Sequence, residues 1–260
     1  MSIFVFDIET VPDVASGRRI YQLPDLSDED VAQIMQHKRR QQMGHDFLPL
    51  HLHRVVAISV LFSKGDQLKL WSLGNAESPE RELIQRCFDG IEKYSPVLVS
   101  WNGGSFDLPV LHYRALLHAI SAPTYWDTGE FAKESRWNNY IGRYHWRHID
   151  VMDILALYQM RAVAPLQQIA TMLGLPGKLG MDGGQVWQCF QGGELDRIRH
   201  YCETDVLNTY LVFLRFQLMR GHLDQAAYAL KQQQVRDMLK HGEQAHWREF
   251  LHAWPEGFAP

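Results

Sequence analysis

The feature that most constrains the fold is the run from Ser2 to Ile8, apolar and rich in β-branched and aromatic side chains. It is too short for a buried helix and has the length of a buried strand, so a central strand is expected at the N-terminus. Asp7 and Glu9 cut the apolar run short. A central strand requires partners, and the chain offers them. Arg54 to Ser63 and Gln67 to Leu73 flank the turn-like Lys64-Gly65-Asp66 and read as a β-hairpin. Pro96 to Trp101 reads as another short buried strand, and Arg147 to Ile149 as the last.

Helical spacing fills the intervals. Glu77 to Tyr94 places Leu83, Ile84, Cys87, Phe88 and Ile91 on one face, and a second helix is expected over about Leu108 to Ile120, after the Gly103-Gly104 turn. From Asp150 onward the chain reads as helical, with segments at Leu166 to Leu173, Gln185 to Phe190 and, longest, Glu194 to Met219. Strand, hairpin, helix, strand, helix, strand, then helices is a mixed α/β pattern with an antiparallel pair beside parallel strands.

Two stretches fall outside that pattern. Residues 12–53 separate the first strand from its hairpin and contain a helix capped by Ser27, acidic at Asp28, Glu29 and Asp30 and basic at Lys38, Arg39 and Arg40. Two readings stay open for it: a lid offering Arg39 or Arg40 to phosphate, or a solvated helix end. Residues 222–260 form a helical extension to a main domain of residues 1–221. There Trp247, Phe250, Leu251 and Trp254 share one face, suited to packing on the chain itself or, as the lesser alternative, on a second copy.

The charge balance narrows the partners. With 26 Lys and Arg against 30 Asp and Glu, the formal net charge is −4, which excludes affinity for nucleic acid through bulk positive charge. Binding has to be local. Three widely spaced cysteines suit neither a disulfide framework nor a CxxC zinc site, and no signal sequence or membrane span is evident, so a cytoplasmic protein is expected.

Local binding points to the acidic residues. Asp7 and Glu9, two apart on a strand, share one face, where two such charges require a cation or a proton. Asp107 follows the Gly-Gly turn where a helix begins, and taken alone reads as its N-cap, with Pro109 just inside. Tyr201 precedes Asp205 by one helical turn, and in isolation the two are a polar stripe beside Leu195, Ile198, Cys202 and Val206. Asp150 reads as another N-cap, although with Asp153 it could instead hold a ribose or a metal.

Taken together, Phe6-Asp7-Ile8-Glu9-Thr10, Asn102 to Asp107 (NGGSFD) and Tyr201-Cys202-Glu203-Thr204-Asp205 carry a specific signal. In this order the chain resembles the DEDD superfamily of 3′-5′ exonucleases in its tyrosine variant. Within it, the chain is most similar to predicted exonucleases related to the exonuclease domain of family-B DNA polymerases. His148 to Asp153 (HIDVMD) and Leu173 to Gly184 (LGLPGKLGMDGG) support that subgroup, and the resemblance spans roughly Ile3 to Gly221. It implies an RNase H-like α/β fold with a mixed five-stranded sheet flanked by helices.

The resemblance implies further that Asp7 bridges two divalent cations, that Glu9 and Asp205 hold the ion carrying the attacking water, and that Asp107 supports the second. Tyr201 would orient that water. Substrate contacts are implied for Thr10, Asn102, Phe106 and Lys178. The chemistry is consistent: two cations about 3.5–4 Å apart can serve the nucleophile, the phosphorus and the leaving oxygen, and Mg²⁺ or Mn²⁺ prefers carboxylate ligands. Zinc, which favours histidine or cysteine, is not expected.

His200 also satisfies a histidine form of the third motif, but in a continuous helix it lies ~140° from Asp205 against ~40° for Tyr201, so the tyrosine is favoured. Between Lys133 and His148, the basic Lys133, Arg136, Arg143 and Arg147 alternate with Trp137, Tyr140, Tyr144 and Trp146. This composition suits a single-strand groove, with Arg143 as a substrate contact, and equally a hairpin whose aromatic residues pack on the core. Gly177-Lys178 is not a P-loop, since Met172 stands where the first glycine is required.

The expected function is a two-metal 3′-5′ exonuclease releasing nucleoside 5′-monophosphates from single-stranded 3′ ends, DNA favoured, with a polymerase or repair partner in trans. An exoribonuclease of the same fold and a non-catalytic proofreading accessory module are the alternatives.

Overall fold

A computed structural model describes residues 2–255. In chain order the elements are β1 (Ser2–Pro12), α1 (Val14–Tyr21), α2 (Asp28–Met43), β2 (His53–Lys64), β3 (Gln67–Ser72), α3 (Glu80–Tyr94), β4 (Val97–Ser100) and α4 (Asp107–Leu117). There follow α5 (Pro123–Trp126), β5 (His148–Asp150), α6 (Val151–Leu155), α7 (Leu166–Met172), α8 (Val186–Gln191), α9 (Leu195–Met219), α10 (Gln225–His241) and α11 (Ala245–Ala253).

The strands form one sheet in the order β3-β2-β1-β4-β5, with β1 in the middle. β2 runs antiparallel to both its neighbours, while β1, β4 and β5 are parallel. This is the expected α/β, RNase H-like arrangement. The period of two along β1 assigns its side chains to two cores. Val5 joins Val99, Ile149 and the apolar face of α9, whereas Phe4, Phe6 and Ile8 pack with Leu83, Ile84, Phe88 and Leu111 of α3 and α4.

β1 is longer than the apolar run, because pairing with β2 continues to Pro12 opposite His53, with a register shift between Glu9 and Thr10. Such an irregularity re-aims the chain beside a site. The inserted segment is therefore 13–52. Ser27 caps α2 as expected, its Oγ accepting from the Asp30 amide at 3.1 Å. Arg39 Nε donates to the Phe47 carbonyl at 3.0 Å and Arg40 pairs with Asp46 at 2.7 Å, so both arginines fasten the insertion's own return segment.

The insertion has its own small core of Val31, Met35, Leu48 and Leu52. It is bound to the main body through Asp13, which shares the buried Arg114 guanidinium with Glu80. In the tail, Trp247, Phe250 and Trp254 are buried in the same core as Val5 and α9. The apolar face predicted there packs on its own chain. No helix among the described residues is long and apolar enough to cross a membrane.

Candidate active site

The site is built where α9 crosses the carboxyl end of β1. Asp7 and Glu9 project from the strand, Glu9 being buried and Asp7 partly exposed. α9 brings the buried Tyr201 and Asp205 against them. Asp107 arrives from the other side. Pairing of β1 with β4 ends at Val5 opposite Val99, which leaves the Ile8 amide without a strand partner. The Asp107 carboxylate accepts that hydrogen bond at 3.1 Å. The N-cap reading of Asp107 is thus corrected: Phe106 holds the cap position, and Asp107 is the first residue of α4, reaching across to β1.

The electrostatics follow from this crowding. Burial, then the charges of Asp107, Glu9 and Asp205, push the Asp7 carboxyl well above the ordinary range. Burial, with Asp205 and Asp107, does the same to Glu9. Burial raises Asp107 to about 7 and Asp205 to about 6. Asp205 Oδ1 is buried with no hydrogen-bond partner. Four carboxylates raised by burial, three of them also by their acidic neighbours and the fourth with an unpartnered oxygen, fit a divalent cation with a preference for oxygen ligands.

Cys202 was assigned to an apolar stripe, and the structure places it here as well. Its thiol lies 3.5 Å from Asp7 Oδ2, and its sulfur with oxygens of Asp7 and Glu9 forms a group within 4.8 Å. The third motif thus brings a sulfur, a soft donor, in among the carboxylates. The signal was available in the sequence, since Cys202 is three residues before Asp205 on one helix face.

Burial, followed by Asp205, Glu9 and Asp7, raises the Tyr201 phenol far above its usual value, so it stays protonated. His200 instead stacks on His246, ring centroids 4.0 Å apart. Lys178 reaches the cluster, its Nζ 5.2 Å from the Tyr201 ring centroid, and its charge lowers the pKa of both Glu9 and Asp205. The loop is fixed to α9 by Asn208, which bonds the Gly177 amide at 3.1 Å and its carbonyl at 2.9 Å.

A cavity of about 460 Å³ beside Glu9 is lined by Thr10, Phe47, His53, Phe106 and Trp187. Thr10 Oγ1 bonds His53 Nδ1 at 2.8 Å, and Phe106 meets His53 edge-on at 5.3 Å. The sequence singles out neither Phe47 nor His53; nothing local distinguishes them, because the insertion folds back to bring Phe47 there.

Asn102 lies outside the acidic cluster, in a left-handed turn (φ 68°) held by Asp150. Asp150 caps α6 and also accepts from the Gly104 amide at 2.8 Å, as its N-cap reading anticipated. Arg143 is engaged by Asp153 at 2.9 Å. Of its neighbours, Tyr140 is buried and donates to the Pro96 carbonyl at 2.6 Å, whereas Trp137 and Tyr144 are exposed.

An RNase H-like sheet with an acidic cluster at the end of its central strand defines a class of α/β proteins built for polar chemistry at that strand end. Within that class the chain belongs to the family described as "Predicted 3'-5' exonuclease related to the exonuclease domain of PolB", whose sequence pattern matches residues 45–254. Asp7 and Glu9 lie outside the matched residues, and Asp107, Tyr201 and Asp205 within them. The chain is 24% identical over 160 residues to a DNA polymerase of Archaeoglobus fulgidus, covering 61% of this chain and 19% of that protein. It is 54% identical over 37 residues to DNA polymerase 1 of Sulfurisphaera ohwakuensis, covering 14% of this chain and 4% of that one. The chain therefore spans about a fifth or less of these relatives. Among solved structures, the family B DNA polymerase of Pyrobaculum calidifontis aligns at TM-score 0.49 and 19% identity, over 92% of this chain and 28% of that one.

Proposed function

We propose that the protein is a divalent-cation-dependent 3′-5′ exonuclease that removes nucleoside 5′-monophosphates from single-stranded 3′ ends, DNA before RNA. The observation that carries this reading is the convergence of Asp7, Glu9, Asp107 and Asp205 from three elements on one buried place, beside a tyrosine held protonated. Two Mg²⁺ or Mn²⁺ ions, held by these four carboxylates, would supply charge neutralisation at phosphorus and an activated water. Tyr201 keeps its proton and so acts as a hydrogen-bond donor that orients the water or a phosphate oxygen, not as the base. Lys178 offers an ammonium group to the substrate phosphate. Thr10, Phe106 and the cavity beside Glu9 suit the terminal nucleotide.

The preference for DNA rests on the two DNA polymerases among the relatives. A polymerase or repair enzyme acting on the same 3′ ends is the proposed partner class. The test is release of mononucleotides from labelled DNA and RNA oligonucleotides with Mg²⁺ or Mn²⁺, with Asp7→Ala as control. Faster release from DNA that vanishes in Asp7→Ala is expected; no release from either polymer, or full activity in the control, rejects the proposal.

A further inference from the structure

A second concave site lies at the same end of the sheet. A cleft of about 580 Å³ runs between the N-termini of α1 and α3 and the C-terminus of α4, lined by Arg19, Arg54, Arg81, Arg114, Asp13 and Glu80 together with the apolar Val14, Pro79 and Leu117. Arg54 sits opposite Val11, two residues beyond Glu9 on the strand that carries the acidic cluster.

The charges divide into two sets. Asp13 and Glu80 are both spent on the buried Arg114, and Glu80 also accepts from the Val55 amide at 2.7 Å. The remaining three guanidiniums have no carboxylate partner among the described residues. Arg19 makes no hydrogen bond, Arg81 touches only the His118 carbonyl at 3.4 Å, and Arg54 lies 5.6 Å from the Phe190 ring centroid. Four guanidiniums against two carboxylates leave an excess of two positive charges, in a chain whose net charge is −4.

Unpaired guanidiniums around a recess select anions that accept several hydrogen bonds at once, phosphate above all. The apolar walls add surface for a flat, weakly polar body. We infer that this cleft binds a nucleoside phosphate, supplied either by the substrate strand upstream of its 3′ end or by a free mononucleotide. The choice of ligand rests on the exonuclease reading of the neighbouring cluster; the positive cleft itself does not.

The test measures binding in EDTA, where no cleavage occurs, of a fluorescein-labelled oligothymidylate and of thymidine 5′-monophosphate. For the double variant Arg19→Ala/Arg81→Ala, a loss of about tenfold is expected at moderate salt, with the slope of log affinity against log salt reduced by ~1.4 for two lost contacts to a single strand. The Arg19→Lys/Arg81→Lys pair should keep the slope. Loss with the oligonucleotide assigns the cleft to the strand, and loss with the mononucleotide alone assigns it to a free nucleotide. Unchanged affinity and slope for both ligands overturns the inference. Asp7→Ala separates the two proposals: it removes cleavage but leaves binding at the cleft, so either proposal can fail alone.

Discussion

Four acidic side chains that share one buried place gain protons when no cation is present, and this sets the behaviour of single residues. The folded-state values of Asp107, about 7, and Asp205, about 6, lie above the ~4 of an unfolded carboxylate. Between those limits the folded state binds more protons than the unfolded, so the stability these groups contribute is present below pH ~4 and is lost as pH rises through 6 to 7. Asp107→Asn removes part of that repulsion while retaining a carbonyl for the Ile8 amide. In EDTA at pH 7.5 it should raise the melting temperature by a few degrees, less at pH 5, while cutting cleavage by at least about a hundredfold. Calorimetric scans across that range check the sign, and a variant less stable than the wild type at pH 7.5 would refute it. The third motif gives a second prediction. Tyr201→Phe should lower kcat by about ten- to a hundredfold, whereas His200→Ala, which loses only a stack on His246, should change it less than about threefold. Single-turnover rates decide, and the reverse order would overturn the assignment of the tyrosine.

Among the elements, α9 carries the most consequence, and the C-terminal tail holds it in place. Glu203, between Tyr201 and Asp205, accepts hydrogen bonds from Ser72 Oγ at 2.8 Å, from Trp247 Nε1 at 2.9 Å and from His246 Nε2 at 2.8 Å. Burial would raise this carboxyl, yet the three donors together hold it below its usual value, unlike the carboxylates of the site. One buried anion thus joins β3, α9 and α11. Glu203→Ala strands three donors and should cost about 2–4 kcal/mol, while Trp247→Phe, losing one N–H, should cost about 1 kcal/mol. Urea melts measure both, and equal costs would show that the network does not centre on the carboxylate. The sequence made this helix legible, since its apolar stripe runs through Ile198, Cys202 and Val206, and it made all five strands legible through short apolar runs bounded by turns. It did not reveal α1. Gly17 weakens any local helical signal there, and its value is tertiary: a Cβ at that position would run into the Met35 and Val31 side chains, so glycine lets α1 lie close against α2. The N-cap reading of Asp107 taken alone failed for the same kind of reason, although its place among the four carboxylates was expected. Its partner, the Ile8 amide, is free only because β4 stops short, which no local pattern records.

For the whole molecule, the formal net charge of −4 equals the formal charge of the four site carboxylates, so the state of this one site decides whether the protein as a whole is anionic. Two divalent cations would cancel it formally, but Asp107, raised to about 7, leaves the metal-free site partly protonated near pH 7. Protons and cations therefore compete for the same oxygens, and each cation that binds must displace what the site holds. Apparent Mn²⁺ affinity should fall between pH 8 and pH 6, with protons released on binding at pH 7. Isothermal titration in two buffers of different ionisation enthalpy counts those protons directly, independently of any cleavage. Asp107→Asn should release fewer, while His200→Ala should release the same number as the wild type. Because the cation binds only the folded site, Mn²⁺ at a hundred times its dissociation constant should also stabilise the protein by about 2.7 kcal/mol, and EDTA should reverse it. A pH-independent affinity with no proton release would mean that the four carboxylates do not share a charge, and the description of the site as a single cation-binding unit would fall with it.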